Sequence, residues 1–336
     1  MATADTHRYP SRPIAVYYEH HEWFRPLFAE LDRRGLAYEA LRADHQVVDP
    51  SRGLGDHYGL FLNRMSPSAW ERGHGGAVFD TLNQLQILEA RGVPVFNGAA
   101  AYQLDISKIR QTAMLESLGL AAPRTRAVYH REQLLEAASS LEFPLLVKPN
   151  IGGNGAGVER FVSLDELRFA VESGALSAGP DGVFLVQEYH APAGQSVVRV
   201  ETLDGRFLYA LRVHLPEPCS FSICPADVRR TTSGTELAAT ARAEDEGNDA
   251  VVEAFLPSAE VIAEVEAIAR AGQLDVGGVE YLESTRDGRR HYYDVNVLSN
   301  FVADAEKVLG FDPTARLVDV LEARLAASET LQQVAA

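Results

Sequence analysis

The first hundred residues alternate short apolar runs with amphipathic stretches. Apolar residues at helical spacing between the runs predict helices that end at Gly35 and Gly92. The apolar runs predict four strands, at 13–18, 36–41, 59–63 and 93–96. Because strands that alternate with helices assemble into a parallel sheet covered by helices, residues 13–104 are predicted to form a parallel α/β lobe.

From residue 105 the pattern changes to short helices, single strands and hairpins, which predicts an α+β region after the α/β lobe. Two hairpins are predicted around Asp204-Gly205 and Asp287-Gly288, because Asp-Gly is a strong two-residue turn signal. Residues 215–257 show little periodicity, so only a long loop or two short elements are predicted there. A helix is predicted over 258–272, and a last one over 312–326.

The chain has 336 residues and a net charge of −16, which argues against nucleic acid or an anionic membrane as the main partner. No run approaches 18 apolar residues, and the polar segment 1–13 lacks the apolar core of a signal peptide. We therefore expect a cytoplasmic protein. The two cysteines, Cys219 and Cys224, are predicted to be free thiols.

Residues 152–157, here called the glycine loop, hold four glycines between two predicted strands. Glycine lets the backbone approach a ligand closely, so that its N–H groups can converge on an anion. A strand follows the loop, which excludes a P-loop or a dinucleotide fingerprint, and a simple tight turn remains an alternative. Lys148 and Lys108 could place a charge on a phosphate, although each alone fits a solvated surface lysine better.

An acidic cluster is predicted on the second hairpin. Asp294 and Asn296 are two residues apart on one strand and so project from one face, and the turn brings Glu280 directly or diagonally opposite them. Two carboxylates and an amide oxygen suit Mg²⁺, which also bridges phosphates. The alternative is a solvated hairpin face, but apolar neighbours predict a buried sheet, where unpaired carboxylates are costly.

Arg199 and Arg212 lie on the two arms of the first hairpin, where the turn places them on one face as diagonal neighbours. Two adjacent arginines repel each other unless an anion, such as a phosphoryl group or a carboxylate, lies between them. The alternative is that each arginine pairs with a separate carboxylate such as Glu201.

Along the chain, the two lysines and the glycine loop are followed by Gln187-Glu188-Tyr189, then by the two arginines and the acidic cluster. This order resembles that of the ATP-grasp carboxylate–amine ligases. The resemblance is closest to the branch of glutamate-adding ligases and related peptide-bond-forming enzymes, and it covers about residues 105–325. It implies an ATP-grasp fold of three parts. These are an N-terminal α/β lobe (13–104), a central lid subdomain (105–185) and a C-terminal antiparallel-sheet subdomain (186–327), with ATP between the last two.

The resemblance also implies a role for each matching residue. Arg212, with Arg199, would stabilise the transferred phosphoryl group. The implied metal ligands, for one or two Mg²⁺ ions or for Mn²⁺ as a substitute, are Glu280, Asp294 and Asn296. The implied ATP-binding residues are Lys108, Lys148, Gly152, Gly153, Asn154, Gly155, Gly157, Gln187, Glu188, Tyr189, His190 and Gln195.

Some positions depart from the family pattern. Gln195 stands where the family often places an acid that holds the ribose, and Asp294 replaces the more usual Glu. Ser299 and Asn300 replace a small-Pro-Gly turn and are expected to line an acceptor pocket. His20 and His21 lie on the strand-to-helix loop of the first lobe, where a solvated or substrate-facing loop is favoured over a metal-binding pair.

The resemblance implies an ATP-dependent ligase that activates a carboxylate with the γ-phosphate and joins it to an amine. Its partners would be a small-molecule carboxylate and an amine, and a homodimer is the family-level expectation. One alternative is a small-molecule kinase on the same scaffold. Another is a nucleotide-binding protein without chemistry, which the intact Lys108, Lys148, Glu280, Asp294 and Asn296 argue against.

Overall fold

The structure is a computed structural model that describes residues 12–49, 55, 57–153, 155–215, 230–231 and 250–335. The predicted site residue Asn154 and the thiols of Cys219 and Cys224 lie outside the described residues, as does most of the segment 215–257. Within these ranges, no helix combines the length and the apolar character that crossing a membrane requires.

The first sheet is parallel and has the strand order β2-β1-β3-β4. Its strands are β1 (Ile14–Tyr18), β2 (Tyr38–Arg42), β3 (Leu60–Arg64) and β4 (Val95–Phe96). Every residue of β1 and β3 is buried, as expected for central strands with helices on both faces. The predicted parallel sheet is confirmed.

Four helices accompany this sheet and lead out of it. They are α1 (Arg25–Arg34), α2 (Gly75–Ala90), α3 (Ala99–Asp105) and α4 (Lys108–Ser117). Helix α1 ends at Gly35 in the left-handed conformation, as the sequence predicts. Helix α3 was not predicted, and it connects the first lobe to the rest of the chain.

The second sheet is antiparallel, with the order β5-β8-β6-β7. Its strands and the two helices beside them are β5 (Thr125–Val128), α5 (Leu134–Ser139), β6 (Leu145–Pro149), β7 (Glu159–Phe161), α6 (Leu164–Ser173) and β8 (Phe184–Glu188). The boundary expected between the lid and C-terminal subdomains, at 185/186, falls within strand β8. The subdomain boundaries stay predictions.

The third sheet has six strands in the order β11-β12-β10-β9-β13-β14. Its strands are β9 (Ser196–Leu203), β10 (Arg206–His214), β11 (Arg230–Thr231), β12 (Val251–Ala254), β13 (Val276–Glu283) and β14 (Arg290–Asn296). The remaining helices are α7 (Ala259–Ala271), α8 (Ala305–Leu309) and α9 (Pro313–Ala335). Both predicted hairpins are present, and α9 is longer than predicted.

The third sheet is fixed to the first lobe by apolar packing and by one buried amide. Helix α9 returns to the first lobe, where Leu317 and Leu321 share a core with Ile14. The Asn97 side chain, fully buried, donates to the backbone oxygens of Val276 and Val297 at 2.8 and 2.9 Å. These contacts hold the edge of the first sheet against β13 and β14.

Candidate active site

Three charged side chains form a row across β9, β13 and β14. Glu280 on β13 lies directly opposite Asp294 on β14 and directly opposite Arg199 on β9. Residues that are opposite in a ladder project from the same face, so these three side chains, here called the charged row, point to one side. The predicted pairing of Glu280 with Asp294 is confirmed.

Arg199 is held in the charged row by two carboxylates. Its Nε donates to Glu201 at 2.6 Å, and its Nη1 donates to Glu280 at 2.8 Å. The guanidinium lies over Gly278, where a Cβ atom would be 2.7 Å from Nη2. Only glycine leaves room for the guanidinium at this position.

Lys108 reaches the charged row from the first turn of α4. Its Nζ donates to the Oδ1 of Asp294 at 2.5 Å. The start of α4 is fixed by Asn150, which follows β6 and whose Oδ1 accepts from the backbone N–H of Ile109 at 3.0 Å. The second sheet therefore positions the helix that delivers Lys108.

Lys148 lies on β6 and is only 8% exposed. Its Nζ donates to the Oε1 of Gln187 on β8 at 2.8 Å, and the Gln187 amide donates in turn to Thr125 at 2.8 Å. This chain of hydrogen bonds runs across the second sheet and orients the ammonium group.

The site alternates positive and negative groups that are withdrawn from water. Burial and repulsion by Lys108 lower the pKa of Lys148 to about 7. Burial and the neighbouring Asp294 raise the pKa of Glu280. Burial opposes ionisation of Asp294, but Lys108 beside it holds the pKa of that carboxyl below its usual value. Such a site favours a ligand that brings both anionic oxygens and a cation.

One cleft contains both halves of this arrangement. Here called the central cleft, it is lined by Lys148 from the second sheet and by Asn296 from the third. The charged row, Lys108 and Gln187 also line it. Basic and acidic residues that are far apart in the chain therefore line the same cleft.

The glycine loop lies at the central cleft and reaches the first lobe. Gly152, Gly153 and Gly155 line the cleft, and a Cβ atom at Gly153 would be 3.0 Å from the Cβ of Ser68. Gly155 and Gly157 have φ values of 71° and 67°, which glycine adopts without strain. The loop therefore bridges the second sheet and the first lobe.

Residues 188–190 connect the second sheet to the third at the cleft. The Glu188 carboxylate accepts from the backbone N–H of Glu142 at 3.0 Å, and the Tyr189 backbone N–H donates to Pro144 at 2.9 Å. His190 hydrogen-bonds Ser284 at 2.8 Å through Nδ1. All three residues, Glu188, Tyr189 and His190, line the central cleft.

The arrangement can be compared with known proteins. No protein-family model matches the chain. The ATP-grasp ligase PsnB, solved with a precursor variant, Mg and ADP, superposes with a TM-score of 0.65 and 18% identity, over 94% of this chain and 99% of PsnB. The chain has the ATP-grasp fold.

A second ATP-grasp structure supports the same fold. The D-alanine–D-alanine ligase of Bacillus anthracis, solved with ATP, superposes with a TM-score of 0.62 and 15% identity, over 95% of this chain and 99% of that one. A curated D-alanine–D-alanine ligase of Pseudomonas putida (strain GB-1) is 32% identical over 108 residues, which are 32% of this chain and 33% of that protein. The chain spans only part of the length of its curated relatives, 33% of this Pseudomonas putida ligase and 51% of the D-alanine–D-alanine ligase of Ectopseudomonas mendocina (strain ymp). The resemblance to ATP-grasp ligases predicted from the sequence is confirmed.

Arg212 does not reach the central cleft, so its predicted place beside Arg199 is wrong. A bulge at Leu208 shifts the register, and Arg199 pairs with Leu211 while Arg212 pairs with Val198. A shift of one residue turns every later side chain to the other face.

Arg212 instead lies 3.5 Å from Glu253 and over the ring of Phe255. Since Arg199 pairs with Glu201 and Glu280, each arginine has its own carboxylate, and the alternative weighed from the sequence is the correct one.

Four other predicted residues, Gly157 of the glycine loop among them, do not line the central cleft. Gln195 is exposed in a turn with φ of 50° and does not line it. Ser299 is fully buried, and its hydroxyl donates to Glu201 at 2.5 Å, so it supports the charged row from behind. His20 stacks on Trp23 with ring centroids 4.5 Å apart, and Trp23, not His20, lines the cleft. Asn300 lines the central cleft, and its expected role in an acceptor pocket stays a prediction.

Asp105 also lines the central cleft, and it was not predicted as a site residue from the sequence. Burial raises the pKa of its carboxyl to about 7, and its Oδ1 accepts from the backbone N–H of Val297 at 2.9 Å. Asp105 ends the unpredicted helix α3, so no pattern pointed to it. The partnership of Glu201 with Arg199, in contrast, could be predicted, because the two residues lie two positions apart on one strand and therefore project from the same face.

Proposed function

We propose that the chain is an ATP-dependent ligase that joins a carboxylate to an amine through an acyl-phosphate and releases ADP and phosphate. The observation that carries the proposal is the shared central cleft, in which Lys148 of the second sheet and Asn296 of the third line the same space. A triphosphate with its metal ion would satisfy both the basic and the acidic groups there. The ATP-grasp ligases similar to this chain in fold support the same reaction class.

In this proposal ATP binds between the second and third sheets. Lys148 and Lys108 would contact its phosphates, and the backbone N–H groups of the glycine loop would cover them. The backbone of residues 188–190 would meet the adenine. The contact of Gly153 with Ser68 means that the loop, when closed, would exclude water from the phosphates and protect the acyl-phosphate from hydrolysis.

The donor set fits Mg²⁺, because Glu280, Asp294 and Asn296 offer only oxygen ligands on one face of the hairpin. Burial also raises the pKa of Glu280, and a cation beside the carboxylate would counteract that effect. These three residues would hold the ion, which when bound would neutralise charge on the transferred phosphoryl group.

The proposed reaction has two steps. A carboxylate oxygen of the substrate attacks the γ-phosphorus, and the bond from that phosphorus to the β-phosphate oxygen breaks. The amine nitrogen then attacks the acyl carbon, loses a proton and expels phosphate, which keeps the attacking carboxylate oxygen. Arg199, fixed by Glu201 and Glu280, is placed to stabilise negative charge that develops on the transferred oxygens.

A paired-substrate screen tests the proposal. Carboxylates and amines are offered in all combinations with Mg–ATP, and free phosphate and product mass are measured. A ligase releases phosphate and forms an amide only when both substrates are present. ADP formation with the phosphate left on the acceptor would indicate a kinase. Tight Mg–ATP binding without turnover for any pair would indicate a nucleotide-binding protein without chemistry.

A further inference from the structure

Arg64 ends β3 at the carboxyl edge of the parallel first sheet, where ligands of α/β sheets commonly bind. It is 3% exposed, and its Nη2 donates to the backbone oxygen of Ser299. Its Nε and Nη1 are buried and have no hydrogen-bond partner among the residues that the structure describes. The ring of Phe24 lies 5.3 Å from its Cζ. Most of this guanidinium's hydrogen-bonding capacity is therefore unused.

Arg64 lines a cavity of about 130 Å³, here called the Arg64 cavity, between the first lobe and the segment after β14. Trp23 and Asn300 line both this cavity and the central cleft, so the two spaces adjoin. The Oδ1 of Asn300 is also buried and has no hydrogen-bond partner within the described part of the chain. Unsatisfied polar groups thus lie beside the central cleft, on the side of the first lobe.

No carboxylate in the described part of the chain forms an ion pair with Arg64. Two acidic residues line the Arg64 cavity, but each has a partner. Asp304 accepts from Lys307 Nζ at 2.7 Å, and Asp312 accepts from the backbone N–H of Thr314 at 2.8 Å. Glu201 and Asp105 act on Arg64 only through their charges. Glu201 accepts from Arg199, and the Oδ1 of Asp105 accepts from the backbone N–H of Val297, while the buried Oδ2 of Asp105 has no hydrogen-bond partner among the described residues.

A buried guanidinium without a counter-ion is costly, and natural proteins retain one mainly where it meets an anion. Burial lowers the pKa of Arg64 only to about 10, so the group stays charged at neutral pH. Its planar N–H donors match a carboxylate in a two-pronged geometry, which a lysine cannot reproduce.

We propose that Arg64 binds a substrate carboxylate that is not the one activated by ATP. The carboxylate to be activated must lie against the phosphates, beside Lys108 and the charged row, whereas Arg64 opens into the adjoining cavity. The inference rests on the proposed ligase function and adds that one of the two substrates carries a second carboxylate. That carboxylate belongs either to the amine substrate or to a dicarboxylic acid substrate.

A binding experiment tests Arg64 without turnover. N-acetylglycine, N-acetylalanine and N-acetylglutamate, each alongside its carboxamide, are added to the full chain with Mg–ADP, and the melting temperature is followed. We expect stabilisation by a carboxylate, loss of that stabilisation with its carboxamide, and loss in Arg64→Met. No acid-specific shift in wild type, or a shift that persists in Arg64→Met, would overturn the inference.

The variants also separate binding from folding. Because Arg64→Met removes an unpaired buried charge, we expect its melting temperature without ligand to equal or exceed that of wild type. Arg64→Lys keeps the charge but loses the two-pronged geometry, so it should retain only part of the ligand-induced shift. A lower melting temperature of Arg64→Met, together with an unchanged acid-specific shift in Arg64→Lys, would show a structural role instead.

Kinetics with the substrate pair from the screen identify which substrate carries the carboxylate. Each non-reacting carboxylate is replaced by a carboxamide in turn, and KM is measured in wild type and Arg64→Met. One replacement should raise KM by about 30-fold or more in wild type and have no further effect in Arg64→Met, while KM for ATP is unchanged.

A substrate pair that has no second carboxylate, and whose KM values are equal in both proteins, refutes the Arg64 inference and leaves the proposed ligase function intact. Absence of ATP turnover refutes the ligase, and the binding experiment then still decides the role of Arg64.

Discussion

ATP binding should draw a proton onto Lys148. This lysine has a pKa of about 7 in the free protein because burial and Lys108 disfavour its charge. At pH 8 about one tenth of the protein then carries the proton, by the ordinary titration relation. Phosphate oxygens beside the ammonium favour the charged form and return the pKa toward its usual value. Binding should therefore take up about 0.9 proton at pH 8 and about 0.1 at pH 6.

Isothermal titration calorimetry measures this proton. Mg–ATP is titrated at pH 8 in phosphate and in Tris, without carboxylate or amine, and the observed enthalpy is compared with the buffers' ionisation enthalpies. The difference gives the number of protons taken up. Lys148→Met is the matched control and should show uptake near zero. The reasoning is refuted if wild type takes up no proton at pH 8, or if Lys148→Met takes up as many.

The same lysine predicts the pH dependence of stability. Between about pH 7 and 10.5 the unfolded chain keeps the Lys148 proton while the folded chain releases it. The unfolded state binds more protons in this window, so the free energy of unfolding rises with pH. The rise from this residue is of the order of 4 kcal/mol across the window. It should be absent from the urea-unfolding curves of Lys148→Met, measured beside wild type at each pH.

Three further substitutions test the site. Asp294→Asn should lower kcat by about 100-fold or more with the circular dichroism spectrum retained; a near-normal rate would remove Asp294 from the site. Gly278→Ala should lower the free energy of unfolding in urea by about 1–3 kcal/mol and should also lower activity, because the added Cβ would meet the Arg199 guanidinium. Gly76→Ala is the control, since a Cβ there meets open space, and it should leave stability unchanged or slightly higher. Arg212→Gln should change kcat less than about threefold, since Arg212 faces away from the cleft; a loss as large as that of Arg199→Gln would contradict the observed register.

Local patterns predicted much of the fold. The hairpin predicted around Asp287-Gly288 brought Glu280 close to Asp294, but their direct pairing also depends on a turn longer than two residues and on a register shift between Glu280 and Tyr281. The pattern in the first hundred residues gave the four parallel strands. These features depend on short-range periodicity and turn chemistry, which a single sequence carries.

The failures involve interactions that periodicity does not encode. The bulge at Leu208 adds one unpaired residue and turns Arg212 away from Arg199, and nothing in the local pattern distinguishes it from a regular strand. Ser299, predicted to line a pocket, is buried instead, because the chain after β14 turns inward and its hydroxyl donates to Glu201. The contact of Lys108 with Asp294 joins residues 186 positions apart, which depends on the packing of α4 against β14.

Isotope transfer from the carboxylate tests the central claim most directly. The carboxylate substrate found in the screen is labelled with ¹⁸O on both oxygens and incubated with the chain, Mg–ATP and the amine, and the phosphate is analysed by mass spectrometry. We expect each amide formed to be accompanied by one phosphate that contains one ¹⁸O atom. Amide formation with unlabelled phosphate, or phosphate release that needs no amine, would contradict it.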